Sequence, residues 1–231
     1  MVQNTSHAVM SQRHEAPDSL DFFPTPAFAT RALCEWLKAR NEPLHLATVW
    51  EPACGQGDMS RPLTEYFSET YSSDVHDYGF GSVLDFLWMG ASPTVADWII
   101  TNPPFVAAEQ FAKRAISEAR EGVALLVRIN FLESANRYKG LFQKTPPSDI
   151  LQFVERVPMF KGRLDRHGST ARAYCWLIWR KGAESGTKFH WIAPCRKRLE
   201  RDADYPSEAQ QTEVRRNVTL PRVQLGEGKQ P

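Results

Sequence analysis

The sequence predicts an α/β protein built on a mostly parallel sheet of seven strands, the last two closing it as an antiparallel hairpin. Three observations carry this. Short runs such as Trp98-Ile99-Ile100 and Val123 to Val127 are apolar throughout and bounded by breakers, the pattern of strands buried on both faces. Amphipathic stretches of helical period lie between such runs. A glycine loop, Glu51-Pro52-Ala53-Cys54-Gly55-Gln56-Gly57-Asp58, joins the first run to a helical stretch in the order strand, loop, helix.

Composition narrows the class. The chain has 231 residues, 42% of them hydrophobic, which suits one well-cored domain. That domain is expected over residues 21–182, between a flexible N-terminal tail (1–20) and a polar, flexible C-terminal tail (183–231). A net charge of +1 gives no global basic signature, so a nucleic-acid surface has to be a local patch. The four cysteines are far apart with no C-x-x-C pair, which argues against a zinc site and a disulfide framework and predicts reduced thiols. No metal site is read. Residues 1–20 lack the apolar core of a signal peptide, and no stretch approaches the roughly 18 apolar residues of a membrane span. A cytoplasmic protein with no membrane partner is expected, and no oligomeric state is assigned.

In chain order, Phe22-Phe23-Pro24-Thr25-Pro26 predicts an anchored turn in which Thr25 caps a helix and Pro26 takes its first position. Phe28, Leu33, Trp36 and Leu37 give that helix its stripe to about Arg40. Leu46 to Trp50 reads as a buried strand delivering Glu51 to the glycine loop. Gly55 and Gly57 permit positive φ and close approach of backbone to a ligand, and the helix beyond, to about Phe67, starts with free N–H groups. Ser60 stands where a dinucleotide fingerprint has its third glycine, so a dinucleotide is disfavoured, and Glu51 suits a cationic group better than a phosphate. Glu69 to Ser73 predicts the next strand. Asp74 follows it, about 20 residues beyond the glycine loop, where acids reach ribose hydroxyls in doubly wound folds. Asp77 competes for that role, and either acid can instead start a turn. Val83 to Trp88 is a short apolar segment in which Asp85 can accept from an adenine amine while Phe86 packs on the ring, or Asp85 can simply cap.

The strand Trp98-Ile99-Ile100 ends at Thr101-Asn102-Pro103-Pro104-Phe105. Neither proline has the N–H a sheet ladder needs, so the strand stops there. Ligands of open α/β sheets sit off the carboxyl ends of strands, which turns Asn102 toward the reaction crevice. A helix with Phe111, Ala115, Ile116 and Ala119 follows, then the strand Val123 to Val127, a helical stretch from Arg128 to Phe142, and the strand Ile150 to Val154. Ala173 to Trp179 pairs back on that strand as a hairpin. Between them, Lys161, Arg163, Arg166, His167 and Arg172 form a mostly basic loop that can serve phosphates first and bases second, or remain a solvated tip.

Phe23-Pro24-Thr25-Pro26, the loop Glu51 to Gly57, Asp74, Asp85 and Asn102-Pro103-Pro104-Phe105 together resemble the ordered motifs of S-adenosylmethionine-dependent adenine-N6 DNA methyltransferases. The resemblance spans Asp21 to Lys181; Arg156-Val157-Pro158-Met159-Phe160 and Trp176-Leu177-Ile178-Trp179-Arg180-Lys181 resemble the small phage-type, Dam-like members. The set carries the specificity, because a Pro-Pro pair alone arises by chance in roughly half of chains this long. The resemblance implies a Rossmann-like methyltransferase fold, S-adenosylmethionine as cofactor and double-stranded DNA as substrate. It places Phe23, Pro24 and Thr25 at the methionine end of the cofactor, with Ala53, Gly55 and Gly57 close to it. Glu51 would hold the cationic methionine portion, Asp74 the ribose, and Asp85 with Phe86 the adenine.

The chemistry suits those residue types. An adenine amine is a poor nucleophile, because its lone pair is delocalised, and it is hidden in the duplex. The Asn102 amide oxygen and the Pro103 carbonyl can accept its two N–H bonds, and Phe105 can stack on the flipped base. The same loop accepts a glutamine side-chain amide, so a protein-glutamine or RNA-adenine methyltransferase is the enzyme alternative. A non-catalytic nucleic-acid-binding subunit is the alternative from another class.

Overall fold

The computed structural model describes residues 21–205, apart from residues 89 and 91. The expected N-terminal tail and the end of the C-terminal one lie outside the described residues. The strands are β1 (Thr48–Glu51), β2 (Glu69–Asp74), β3 (Ser82–Val83), β4 (Trp98–Thr101), β5 (Gly122–Arg128), β6 (Asp149–Phe153), β7 (Tyr174–Arg180) and β8 (Lys188–Ile192). They form one sheet in the order β3-β2-β1-β4-β5-β7-β6-β8. β7 runs antiparallel to β5 and β6, and every other pairing is parallel. The α/β class, the largely parallel sheet and the closing hairpin are those the sequence predicts.

Side chains alternate across this sheet and give it two cores. Val49, Trp98, Ile100, Ala124, Leu126, Trp176 and Ile178 pack under helix α1 (Ala27–Lys38) through Phe28, Leu33 and Leu37. Trp50, Ile99, Val123, Leu125, Leu177 and Trp179 pack under α3 (Ala108–Glu118) through Phe111, Ala112 and Ala115. β4 is buried along all four residues, so its direction, and the exit of Asn102 from its end, is fixed from both faces.

The structure departs from the expected elements in four places. An eighth strand, β8, lies within the stretch expected to be a polar tail: Lys188-Phe189-His190-Trp191-Ile192 is a β-forming run whose charged neighbours mask it in composition. The short helix α5 (Arg196–Leu199) accompanies that change, and one residue of α1 ties it to the chain just beyond α2 (Ser60–Leu63). Arg31 is buried, and donates to the Leu199 carbonyl (2.6 Å), to Asp204 (2.7 Å) and to Glu65 (2.8 Å). Residues as far as Asp204 therefore belong to the folded body. The short apolar segment from Val83 to Trp88 is strand only at its first residue, and beyond it the Asp85 carboxylate accepts from the Leu87 N–H (2.8 Å) and turns the chain. The stretch after Arg128 is not one helix: it breaks into a 3-10 turn, the three-residue α4 (Ala135–Arg137) capped by the Ser134 side chain, and a π-turn. The expected helix after the glycine loop shrinks to the single turn of α2. No helix among the described residues is long and apolar enough to cross a membrane.

Candidate active site

The parallel strands deliver Glu51, Asp74, Asn102 and Arg128 to one edge of the sheet, since each ends or follows a strand of the same direction. A cavity of about 350 Å³ opens there. Phe23, Pro24, Thr25, Glu51, Ala53, Gly55, Asp74, Asp85 and Phe86 line it together with Asn102, Pro103, Pro104 and Phe105. Gly57 is not among the lining residues. Its φ of +84° requires glycine, but a Cβ there would lie 2.6 Å from the Phe80 ring, so the glycine admits a packed side chain. Gly55 (φ +51°) likewise seats the Phe22 ring, 2.5 Å from where its Cβ would be.

One end of the cavity is acidic. Glu51 is buried, and the Ser60 hydroxyl donates to its carboxylate while sharing a 2.7 Å hydrogen bond with Ser72. Burial pushes the Glu51 carboxyl well above its ordinary range, and neighbouring Asp58 and Asp74 push it the same way. Burial also lifts Asp58 to about 6 against the pull of Arg61. Asp74 is raised by burial too, although it accepts from the N–H groups of Gly55 (2.9 Å) and His76 (3.0 Å). Among the described residues, the ion pair these three acids make is Asp58 with exposed Arg61 at 3.9 Å. Three clustered carboxyls with so little positive charge make a site for a cationic ligand. Phe22 and Tyr78, with ring centroids 4.8 Å apart, stand at its side, and Phe86 packs edge-on to Trp50.

The other end is built around Asn102. Its Nδ2 donates to the Phe23 carbonyl (3.0 Å), to Thr25 Oγ1 (3.1 Å) and to the Met159 sulfur (3.5 Å). A carbonyl can only accept, so this contact fixes which way the amide faces. Oδ1 is thereby left buried with no partner. Thr25 spends its hydroxyl here and makes no side-chain cap on α1, contrary to the expected capping role; the residue at the cap position is Pro26. The Phe105 N–H donates to Asp21 (2.7 Å), and the Phe105 ring lies 4.9 Å from Phe23. Asp85, by contrast, is exposed and occupied with its own turn.

The basic loop lies on the same edge, because β6 runs parallel to β5. It is joined to the site by the Gly162 N–H, which donates to the Phe22 carbonyl (2.9 Å). Arg163 pairs with Asp165 (3.4 Å) and Arg166 with Asp202 (2.7 Å), while the His167 N–H is held by Asp165 (3.1 Å). Lys161 is half-buried, and Arg172 is exposed. Asp21, Phe22, Asp58, Tyr78, Arg128 and Met159 enter the site without a signal in the sequence strong enough to single them out, apart from Asp58, which closes the glycine loop.

No protein-family model matches the sequence, and no curated protein matches it. Solved structures do match in fold. A type I restriction-modification system methyltransferase subunit from Streptococcus thermophilus superimposes with a TM-score of 0.57 at 12% identity, over 85% of this chain and 53% of that one. A protein described as a class I S-adenosylmethionine-dependent methyltransferase from Listeria monocytogenes gives 0.56 at 11% identity, over 78% and 68%. One described as an RNA methyltransferase from Pyrococcus horikoshii gives 0.52 at 14%, over 70% and 88%. The chain spans about half the length of the restriction-modification subunit. At these identities the likeness is one of fold, the Rossmann-like fold of class I methyltransferases.

Proposed function

We propose that the chain transfers a methyl group from S-adenosylmethionine to the exocyclic N6 amine of adenine in DNA, with the base rotated out of the duplex. One observation carries the reading: Asn102, at the cavity wall, has the two N–H groups of its amide turned to three acceptors of the fold while its buried oxygen has no partner. A buried acceptor left unpaired is costly unless a ligand completes it, and an N–H of an amine is the complement. The fold likeness to a restriction-modification methyltransferase supports DNA as the substrate, and the ordered motifs support the small phage-type, adenine-specific assignment. The free, buried cysteines accord with a reducing, cytoplasmic setting.

The cavity fits the cofactor by charge. Glu51 and Asp58 would face its ammonium and sulfonium groups, Asp74 its ribose, and Phe86 its adenine. When bound, S-adenosylmethionine supplies an electrophilic methyl group. The chain's own residues orient the acceptor. Asn102 Oδ1 takes one N–H of the amine and the Pro103 carbonyl takes the other, which favours a pyramidal nitrogen with its lone pair free. Phe105 offers a ring for the base, and the two prolines keep the loop from rejoining the sheet. Positioning of this kind supplies much of the barrier reduction, so no strong base is required. On the rim, Lys161, Arg163, Arg166, His167 and Arg172 offer outer contacts to the DNA backbone.

Incubation with methyl-labelled cofactor and unmethylated DNA, followed by nucleoside analysis, tests the reading. Label in N6-methyladenine is expected. Label on cytosine, on protein glutamine or on RNA alone would overturn it.

A further inference from the structure

A second cleft, of about 340 Å³, shares Phe105 as a wall with the cofactor cavity and is lined by Arg128, Asn130, Phe131 and Arg137. Arg128 ends β5 at the reactive edge of the sheet. Its guanidinium lies 3.4 Å from the Phe105 ring centroid and 5.6 Å from that of Phe23, so it is stacked on the aromatic side of the amine site. Its Nε is buried and has no hydrogen-bond partner, and among the described residues no carboxylate pairs with it. The neighbouring cations differ. Arg137 shares the unbonded Nε but donates through its terminal nitrogen to the Phe131 and Glu133 carbonyls (2.5 and 3.2 Å) and faces Glu109 at 3.9 Å, and Arg163 and Arg166 have their own aspartates. Arg128 is thus a cation held against the catalytic loop with its charge unspent.

A planar guanidinium with open N–H groups recognises two oxygens at once, as on a phosphate. A nucleotide whose base stacked at Phe105 would have its phosphate within reach of this cleft, because the cleft shares that ring as a wall. We propose that Arg128 grips the backbone phosphate of the nucleotide being methylated, so that the amine reaching Asn102 is delivered on a nucleic-acid strand and not on a protein side chain. This rests on the adenine reading given above. A glutamine side chain carries no anion at that place, which is what separates the two substrate classes.

The test is a salt series of DNA binding and methyl transfer with the wild type, Arg128→Gln and Arg128→Lys. Glutamine keeps a planar group on Phe105 without charge, and lysine keeps the charge without the fork. Arg128→Gln is expected to weaken DNA binding roughly tenfold and to lower the slope of log affinity against log salt by about 1. Arg128→Lys is expected to retain the slope with part of the affinity lost. Cofactor affinity, measured by calorimetry, is expected to stay within about twofold of wild type in both, the yardstick that each variant still folds. A wild-type salt slope in Arg128→Gln would overturn the phosphate role. Absence of transfer to any nucleic acid by the wild type would instead sink the adenine reading itself.

Discussion

The Asn102 loop and the basic hairpin loop lie on the same edge of the sheet and use their polar groups in opposite ways. At Asn102 the surrounding donors and acceptors are arranged so that one buried oxygen is left over, and the nearby acids exceed the cations. In the hairpin, Arg163 and Arg166 are already neutralised by Asp165 and Asp202. Basic residues in a loop are therefore a poorer guide to function than polar atoms the fold has declined to satisfy. Asn102 Oδ1 shares its unpaired state with other buried atoms such as Thr30 Oγ1 and Tyr174 Oη, and what sets it apart is that its residue lines the cavity, whereas paired surface charges do little for stability or binding.

The comparison can be broken or sharpened by substitution. Asn102→Ala should cut the turnover rate roughly 100- to 1,000-fold, the scale of losing one preorganised transition-state contact, with cofactor affinity nearly unchanged. A normal rate in that variant would remove the leftover oxygen from the mechanism. Arg31→Met tests the opposite case, a polar group fully spent on the fold. It leaves Asp204 facing no guanidinium and Glu65 paired with exposed Arg201 alone, and should cost about 3 kcal/mol in urea denaturation, with loss of docking of residues 196–204.

The acidic end predicts a pH dependence. Asp58 in the free protein holds its proton up to about 6, and a bound cation favours the ionised form, so binding releases protons in acid. Cofactor affinity should therefore weaken several-fold as pH falls from about 7.5 to about 5, as read by calorimetry in buffers of different ionisation enthalpy. A pH-independent affinity would mean that Asp58 does not face the cation. The smallest effect is expected from the double variant Arg163→Ala, Arg166→Ala, whose DNA affinity should change by less than about threefold. A larger loss than that of Arg128→Gln would reverse the contrast between the two loops.

Much of the fold was legible because its signals are local. Trp98 to Ile100 and Val123 to Val127 could only be buried strands, and two prolines after Asn102 mark where the strand must stop. Asn102 and Asp74 were readable for the same reason: a side chain at the carboxyl end of a strand has a place set by its neighbours in sequence. Roles set by tertiary approach were not readable. Arg128 is one arginine among many until Phe105 is found beneath it, and Arg31 looks like an ordinary helix residue until Asp204 arrives. Gly57 shows a subtler limit, since positive φ demands glycine whether a ligand or the Phe80 ring lies beyond it. β8 escaped because the charged and polar residues on either side dominate the average while its own β-forming run is only five residues long.

The segment from Asp21 to Thr25 has a bearing on how the protein is made. Its contacts to Phe105 and Asn102 span 84, 79 and 77 residues of chain, and the Phe22 carbonyl waits for Gly162. Closing loops of that size is entropically slow, so these contacts are expected among the last to form. A ribosome-bound chain that has not yet exposed Met159 and Gly162 would hold the strap and the Asn102 loop without the contacts that pin the amide and the Phe22 carbonyl from the far side. Competence to react would then arrive in a single late step of folding.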